Sequence, residues 1–153
     1  ATRRSARPGD TSDLVDVLHG PEGLPALLEA SDVVVLCAPA TGETQDLMDG
    51  SALAEMKEGA VLANVARGSL VDEAALVAAL ESGRLAAAIL DVTREEPLPK
   101  QDPLWDAPNL YLSPHSSIPP DAYDARLLAL FARNLRAYAA GDRLENEIDL
   151  AKV

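Results

Sequence analysis

Apolar residues gather into four short runs, DVVVLC at 32–37, AVLANV at 60–65, LAAAILDV at 85–92 and NLYLS at 109–113. Their hydrophobicity is continuous rather than alternating, which predicts strands of a parallel sheet covered on both faces. A weaker run, DLVDVLH at 13–19, reads as a fifth strand at an edge. Between the runs, apolar positions recur at helical spacing. In DEAALVAALESG, Asp72 is placed to cap, Glu73 lies in the first turn, Leu76, Val77 and Leu80 form one stripe, and Gly83 ends the helix. GPEGLPALLEA and GSALAEMKEG predict two shorter helices, and Asp121 to Ala140 a longer one whose Leu127, Phe131, Leu135 and Tyr138 suit packing. Strands alternating with helices define an α/β class with a doubly wound parallel sheet. The proline-rich segment TREEPLPKQDPLWDAPN lies between two strands and predicts a long ordered loop, a common carrier of function.

Composition narrows the range of functions. The 153 residues are enough for one ordinary domain with a real core. A net charge of −12 repels polyanions, which argues against nucleic acid and anionic membrane surfaces as partners. No apolar stretch is long enough to span a bilayer, and the basic start ATRRSARPGDTSD has no apolar segment behind it, so a cytoplasmic location is expected. The lone Cys37 offers neither a disulfide nor a metal cluster and is expected to be a buried small hydrophobe. No metal site is expected.

In parallel sheets ligands bind beyond the carboxyl ends of the strands, so the residues just past each run carry the chemistry. Arg67 follows the second run, Glu96 lies in the loop after the third, and His115 follows the fourth. A guanidinium matches a carboxylate bidentately, and an imidazole gives or takes a proton near neutrality. A glutamate beside that imidazole would favour its protonated form. Together the three suit a small 2-keto or 2-hydroxy acid, with Arg67 gripping the carboxylate and His115 protonating the carbonyl oxygen as hydride arrives at carbon. Each has a plainer alternative: Arg67 as part of a turn made by Gly68, His115 as a hydrogen-bonded loop residue like His19, Glu95 and Glu96 as a solvated pair. Glu96 is preferred over Glu95 because the following proline restricts its backbone. Asp91, closing an apolar strand, needs hydrogen-bond partners if buried.

The stretch NVARGSLVDEAALVAALESGRLAAAILDV, followed by EEPLP, PLWDAPN and LSPHSS, resembles the D-isomer-specific 2-hydroxyacid dehydrogenases, which include glyoxylate and hydroxypyruvate reductases. The resemblance runs from about Thr2 to Asp149 in motif order. It implies an NAD(P)-dependent oxidoreductase in which Arg67, Glu96 and His115 are catalytic. It also implies that Asp91 and the backbone of Val65 and Ala66 hold the nicotinamide end, with Ser117 near the ring, while Ala38, Pro39 and Thr44 line the adenosine side. At the start of the chain Arg3, Arg4 and Ser5 stand where NAD-using members place an acid. They look like the arrangement that holds a 2′-phosphate, which puts NADP ahead of NAD.

The same resemblance divides the chain into a partial cofactor-binding domain at 1–118 and a helix and tail at 119–153, and implies a homodimer. The family's substrate domain, first strand and glycine-rich turn would lie upstream, so the piece alone is expected to be inactive. An alternative of a different class is a dinucleotide-sensing interaction protein on the same fold. Extended partner-binding tails would favour that alternative; retention of Arg67, Glu96 and His115 favours an enzyme.

Overall fold

A computed structural model describes residues 1–7, 9–116 and 120–148. The chain divides after His115 into two compact units. In the first, strands β1 (Val33–Leu36), β2 (Ala60–Asn64), β3 (Leu85–Leu90) and β4 (Leu110–Leu112) form one sheet in the order β1-β2-β3-β4. All three pairings are parallel. The helices are α1 (Leu24–Ala30), α2 (Gly50–Glu55) and α3 (Glu73–Glu81) in this unit, and α4 (Pro120–Ala140) in the second.

Local chemistry sets the helix ends where the sequence predicts them. The Asp72 carboxylate accepts from the Ala75 amide at the start of α3, and Asp49 accepts from Ala52 at the start of α2. Gly83 closes α3 at φ +74° and Gly141 follows α4 at φ +76°, a region that favours glycine.

One buried cluster joins Leu28 of α1, Leu53 of α2 and Leu76 of α3 to Leu36, Leu62 and Leu90 of the sheet. These helices therefore cover one face. On the other, Val33, Val35, Ile89 and Tyr111 are each at least 46% exposed. The cause is topological. Successive parallel strands are added in one direction, and crossovers of one hand then lay their helices on the same side. The reversal of strand order that would put helices on both faces does not occur among the described residues.

Besides the face left open where cover on both sides was expected, three sequence expectations change here. Segment 13–19 is no strand: it contributes one isolated bridge, Thr2 with His19, and Leu14 is almost fully exposed. Cys37 is exposed rather than buried, because it continues the parity of Val33 and Val35 past the end of β1. Along α4, Leu127, Phe131, Leu135 and Tyr138 are exposed. Within the second unit the chain after α4 is tied back to it. Arg133 grips the Glu145 carboxylate through two hydrogen bonds of 2.6 and 3.0 Å, and the Asn134 amide brackets the Glu145 backbone.

Candidate active site

The four strands end in one row. Leu36 pairs with Asn64, Asn64 with Leu90 and Leu90 with Leu112, so the chain leaves the sheet four times along a common edge. Pro39, Arg67, Thr93 and His115 each stand three residues past that row. Positions far apart in sequence are thereby brought to one end of the sheet.

Each exit is held by specific bonds. Beyond β2, the fully buried Asn64 accepts from the Ala66 amide at 3.1 Å and donates to the Arg67 carbonyl at 2.8 Å, closing the turn that turns Arg67 outward. The exposed Arg67 rests Nη1 on the Ala66 carbonyl at 2.6 Å. Gly68 is buried against the next exit: a Cβ here would collide with the Thr93 carbonyl and the Arg94 amide. The arginine is thus followed by glycine because the Arg67 turn and the Glu96 loop press together backbone to backbone. Beyond β3, Asp91 is buried and accepts a short hydrogen bond from the Ser113 hydroxyl. Its carbonyl accepts from the His115 amide at 2.9 Å. His115 has φ +52°, a left-handed conformation in which histidine is enriched.

The Glu96 carboxylate joins the loops. Oε2 lies 2.8 Å from His115 Nδ1, and Oε1 accepts from the Thr93 amide at 3.1 Å. The hydrogen bond with His115 holds the Glu96 carboxyl below the usual glutamate range, the Thr93 amide adds to this, and the Arg67 guanidinium is near enough to contribute by charge. An ionised carboxylate only accepts, so Nδ1 carries a proton toward Glu96 and Nε2 is the imidazole nitrogen left for a ligand. The pair borders a cleft of about 660 Å³ whose apolar wall includes Leu98, Trp105 and Leu112. Trp105 is fixed by donating Nε1 to the Pro99 carbonyl at 2.8 Å.

Other expected residues lie apart from this cluster. Arg3, Arg4 and Ser5 occupy an exposed turn closed by the Ala6 amide on the Arg3 carbonyl at 2.9 Å. Arg4 reaches the loop after β1, with Nε 3.9 Å from Glu43. In that loop Ala38 packs on the core, while the Thr44 hydroxyl donates to the Pro39 carbonyl at 2.7 Å and accepts from the Thr41 amide at 2.8 Å. Thr44 therefore shapes the loop first. Val65 is exposed and Ala66 half-buried. Ser117 lies outside the described residues.

A family description, the D-isomer-specific 2-hydroxyacid dehydrogenase NAD-binding domain, matches residues 4–117. The chain belongs to this family. A glyoxylate reductase of Thermofilum pendens is 44% identical over 119 residues, covering 78% of this chain and 35% of that protein. Among solved structures, a D-isomer-specific 2-hydroxyacid dehydrogenase from Xanthobacter autotrophicus Py2 in complex with NADPH and MES is 44% identical, with a TM-score of 0.77 over 88% of this chain and 43% of that one. The NADPH-dependent glyoxylate/hydroxypyruvate reductase of Sinorhizobium meliloti, in complex with NADP and sulfate, is 28% identical with a TM-score of 0.81, covering 97% of this chain and 46% of its own. The chain spans about half the length, or less, of the relatives it matches.

Sequence reasoning missed Asn64, Thr93 and Ser113, which touch the expected site residues and fix them, and saw in Gly68 only a turn. Asn64 carried a signal, since an amide ending an apolar strand must find partners once buried. The contact of Gly68 with Thr93 left none, because it depends on two strands lying side by side.

Proposed function

We propose that the protein containing this chain reduces a small 2-keto acid of the glyoxylate or hydroxypyruvate type to the D-2-hydroxy acid. The observation that carries the reading is the hydrogen-bonded Glu96–His115 pair, with the Arg67 guanidinium near enough to act on Glu96 by charge, at the edge where all four strands end.

The donor set suits a nicotinamide dinucleotide: two guanidinium groups and a hydroxyl exposed in the turn at Arg3, Arg4 and Ser5, and a buried carboxylate, Asp91, at the strand edge. Arg3, Arg4 and Ser5 would hold a 2′-phosphate, which favours NADP over NAD. Pro39 and Thr44 would border the adenosine side, and Asp91 with the backbone of Val65 and Ala66 the carboxamide. When bound, the cofactor supplies the hydride. Arg67 binds the substrate carboxylate through its planar fork and polarises the neighbouring carbonyl. His115 gives the proton on Nε2 to the carbonyl oxygen, and Glu96, on Nδ1, holds the ring in place and offsets its charge. The same reading assigns 1–118 to cofactor binding and 119–153 to a helix and tail, and includes a cytoplasmic homodimer. Among the described residues no helix is long and apolar enough to cross a membrane.

The test is oxidation of NADPH by the full-length protein with glyoxylate or hydroxypyruvate. His115→Ala should lower turnover by about 10² to 10⁴, the usual contribution of a positioned acid. Full turnover by that variant would refute the assignment.

A further inference from the structure

Next to the Glu96 loop lies a second set of charged groups that the proposed chemistry does not use. Arg94 heads the loop that carries Glu96. Its Nε and Nη2 both donate to the Val71 carbonyl, at 3.1 and 2.8 Å, just past the turn that presents Arg67. Its guanidinium also meets the Asp46 carboxylate, two residues beyond Thr44. The contact is an ion pair rather than a directed hydrogen bond, and it is the partner of an Asp46 oxygen otherwise shut away from solvent. The Arg94 amide donates to Glu73 Oε1 at 2.7 Å, on the first turn of α3. Asp46 is held in turn by its own amide on the Ser69 carbonyl at 2.9 Å and sits at φ +52°.

One residue therefore ties together the turn after Thr44, the turn after Arg67 and the loop of Glu96. We propose that Arg94, anchored by Glu73, is a positioning residue that fixes the Thr93–Glu96 turn so that the Glu96 carboxylate stays on His115. The inference deepens the reading of this site as a proton-transferring pair. The partners explain the residue types. A single carbonyl receiving two N–H groups needs the fork of an arginine, which lysine lacks. Glu73 is half-buried, and burial raises its carboxyl above the usual glutamate value against the opposing pull of the Arg94 amide. A carboxylate kept there at a cost is explained if it orders a backbone.

The deciding measurement is the titration of the Glu96 carboxyl carbon by ¹³C NMR in the full chain, its signal assigned by loss in Glu96→Gln. In the wild type the signal should titrate below the ordinary glutamate value, in keeping with its bonds to His115 and Thr93. With the turn loosened, both Arg94→Met and Glu73→Ala should move it up toward the ordinary range, while Glu73→Gln, which keeps the accepting oxygen, should leave it near wild type. Glu73→Ala separates position from charge: removing a negative charge would by itself lower the Glu96 value, so a rise reports lost geometry. An unchanged or lowered Glu96 titration in Glu73→Ala, or no change in Arg94→Met, overturns the inference. In the full-length protein, Arg94→Met should cut kcat for the keto acid by about 10²-fold, as a misplacement of roughly 1 Å can, with KM for NADPH changed much less. Inactivity of the wild type would overturn the functional reading instead, and the titration would still decide the role of Arg94.

Discussion

Glu96 shows how much a single side chain inherits from its neighbours. It is exposed, yet two donors on the same carboxylate, His115 Nδ1 and the Thr93 amide, hold its proton affinity down. A carboxyl whose folded value is depressed contributes stability above its unfolded value and loses it as pH falls through the folded one. Starting from the ordinary value of 4.5, the pair should survive mild acid and fail only below it. Urea midpoints of the chain and of Glu96→Gln should therefore differ just above about pH 4.5 and converge at more acidic pH. A difference that does not shrink as the pH falls below 4.5 would contradict the depressed carboxyl. Glu73 has the opposite sign: its raised value favours the folded state as pH falls from the folded to the unfolded value, and because both proteins carry it this contribution cancels in their difference.

At the level of elements, the site is a product of strand register. Because Leu36, Asn64, Leu90 and Leu112 fall in one row, Arg67 and His115 arrive at one edge three residues past their strands, and the longer loop after β3 brings Glu96 back to His115. One close joint between exits is Gly68 on Thr93, where a methyl group would meet backbone rather than a side chain able to move. Gly68→Ala should cost about 1 to 3 kcal/mol by overpacking, read as a lower urea midpoint. The same variant should weaken turnover of the full-length protein, because the displaced loop is the one that carries Glu96. A variant as stable and as active as wild type would show that the joint does not matter.

For the whole molecule, charge and coverage dominate. A net charge of −12 makes the protein a poor host for anions in general, so an anionic cofactor must find local cations. Arg3 and Arg4 are exposed and carry that role in the proposal. Replacing both with alanine in the full-length protein should weaken NADPH binding tenfold or more, about 1.5 kcal/mol or greater for hydrogen bonds to a charged phosphate, while NADH binding changes little. An unaltered ratio of the two affinities would remove the 2′-phosphate assignment. Coverage is equally telling: Val33, Val35, Ile89 and Tyr111 form an apolar sheet face left open by α1, α2 and α3, in a sheet type ordinarily covered on both sides.

Hydrophobic runs and their punctuation were enough to place the four strands, the helices and the α/β class, because strand and helix formation respond to local periodicity and to caps such as Asp72 and Gly83. The residue types past the strands were enough to single out Arg67, Glu96 and His115, since few side chains can grip a carboxylate or pass a proton. Tertiary structure alone decided what holds them. The joint of Gly68 on Thr93, the reach of Arg94 to Val71 and Asp46, and the exposure of one sheet face join positions 20 or more residues apart. Such contacts follow from which strands lie side by side and in what register, and a linear pattern of residues does not carry that information.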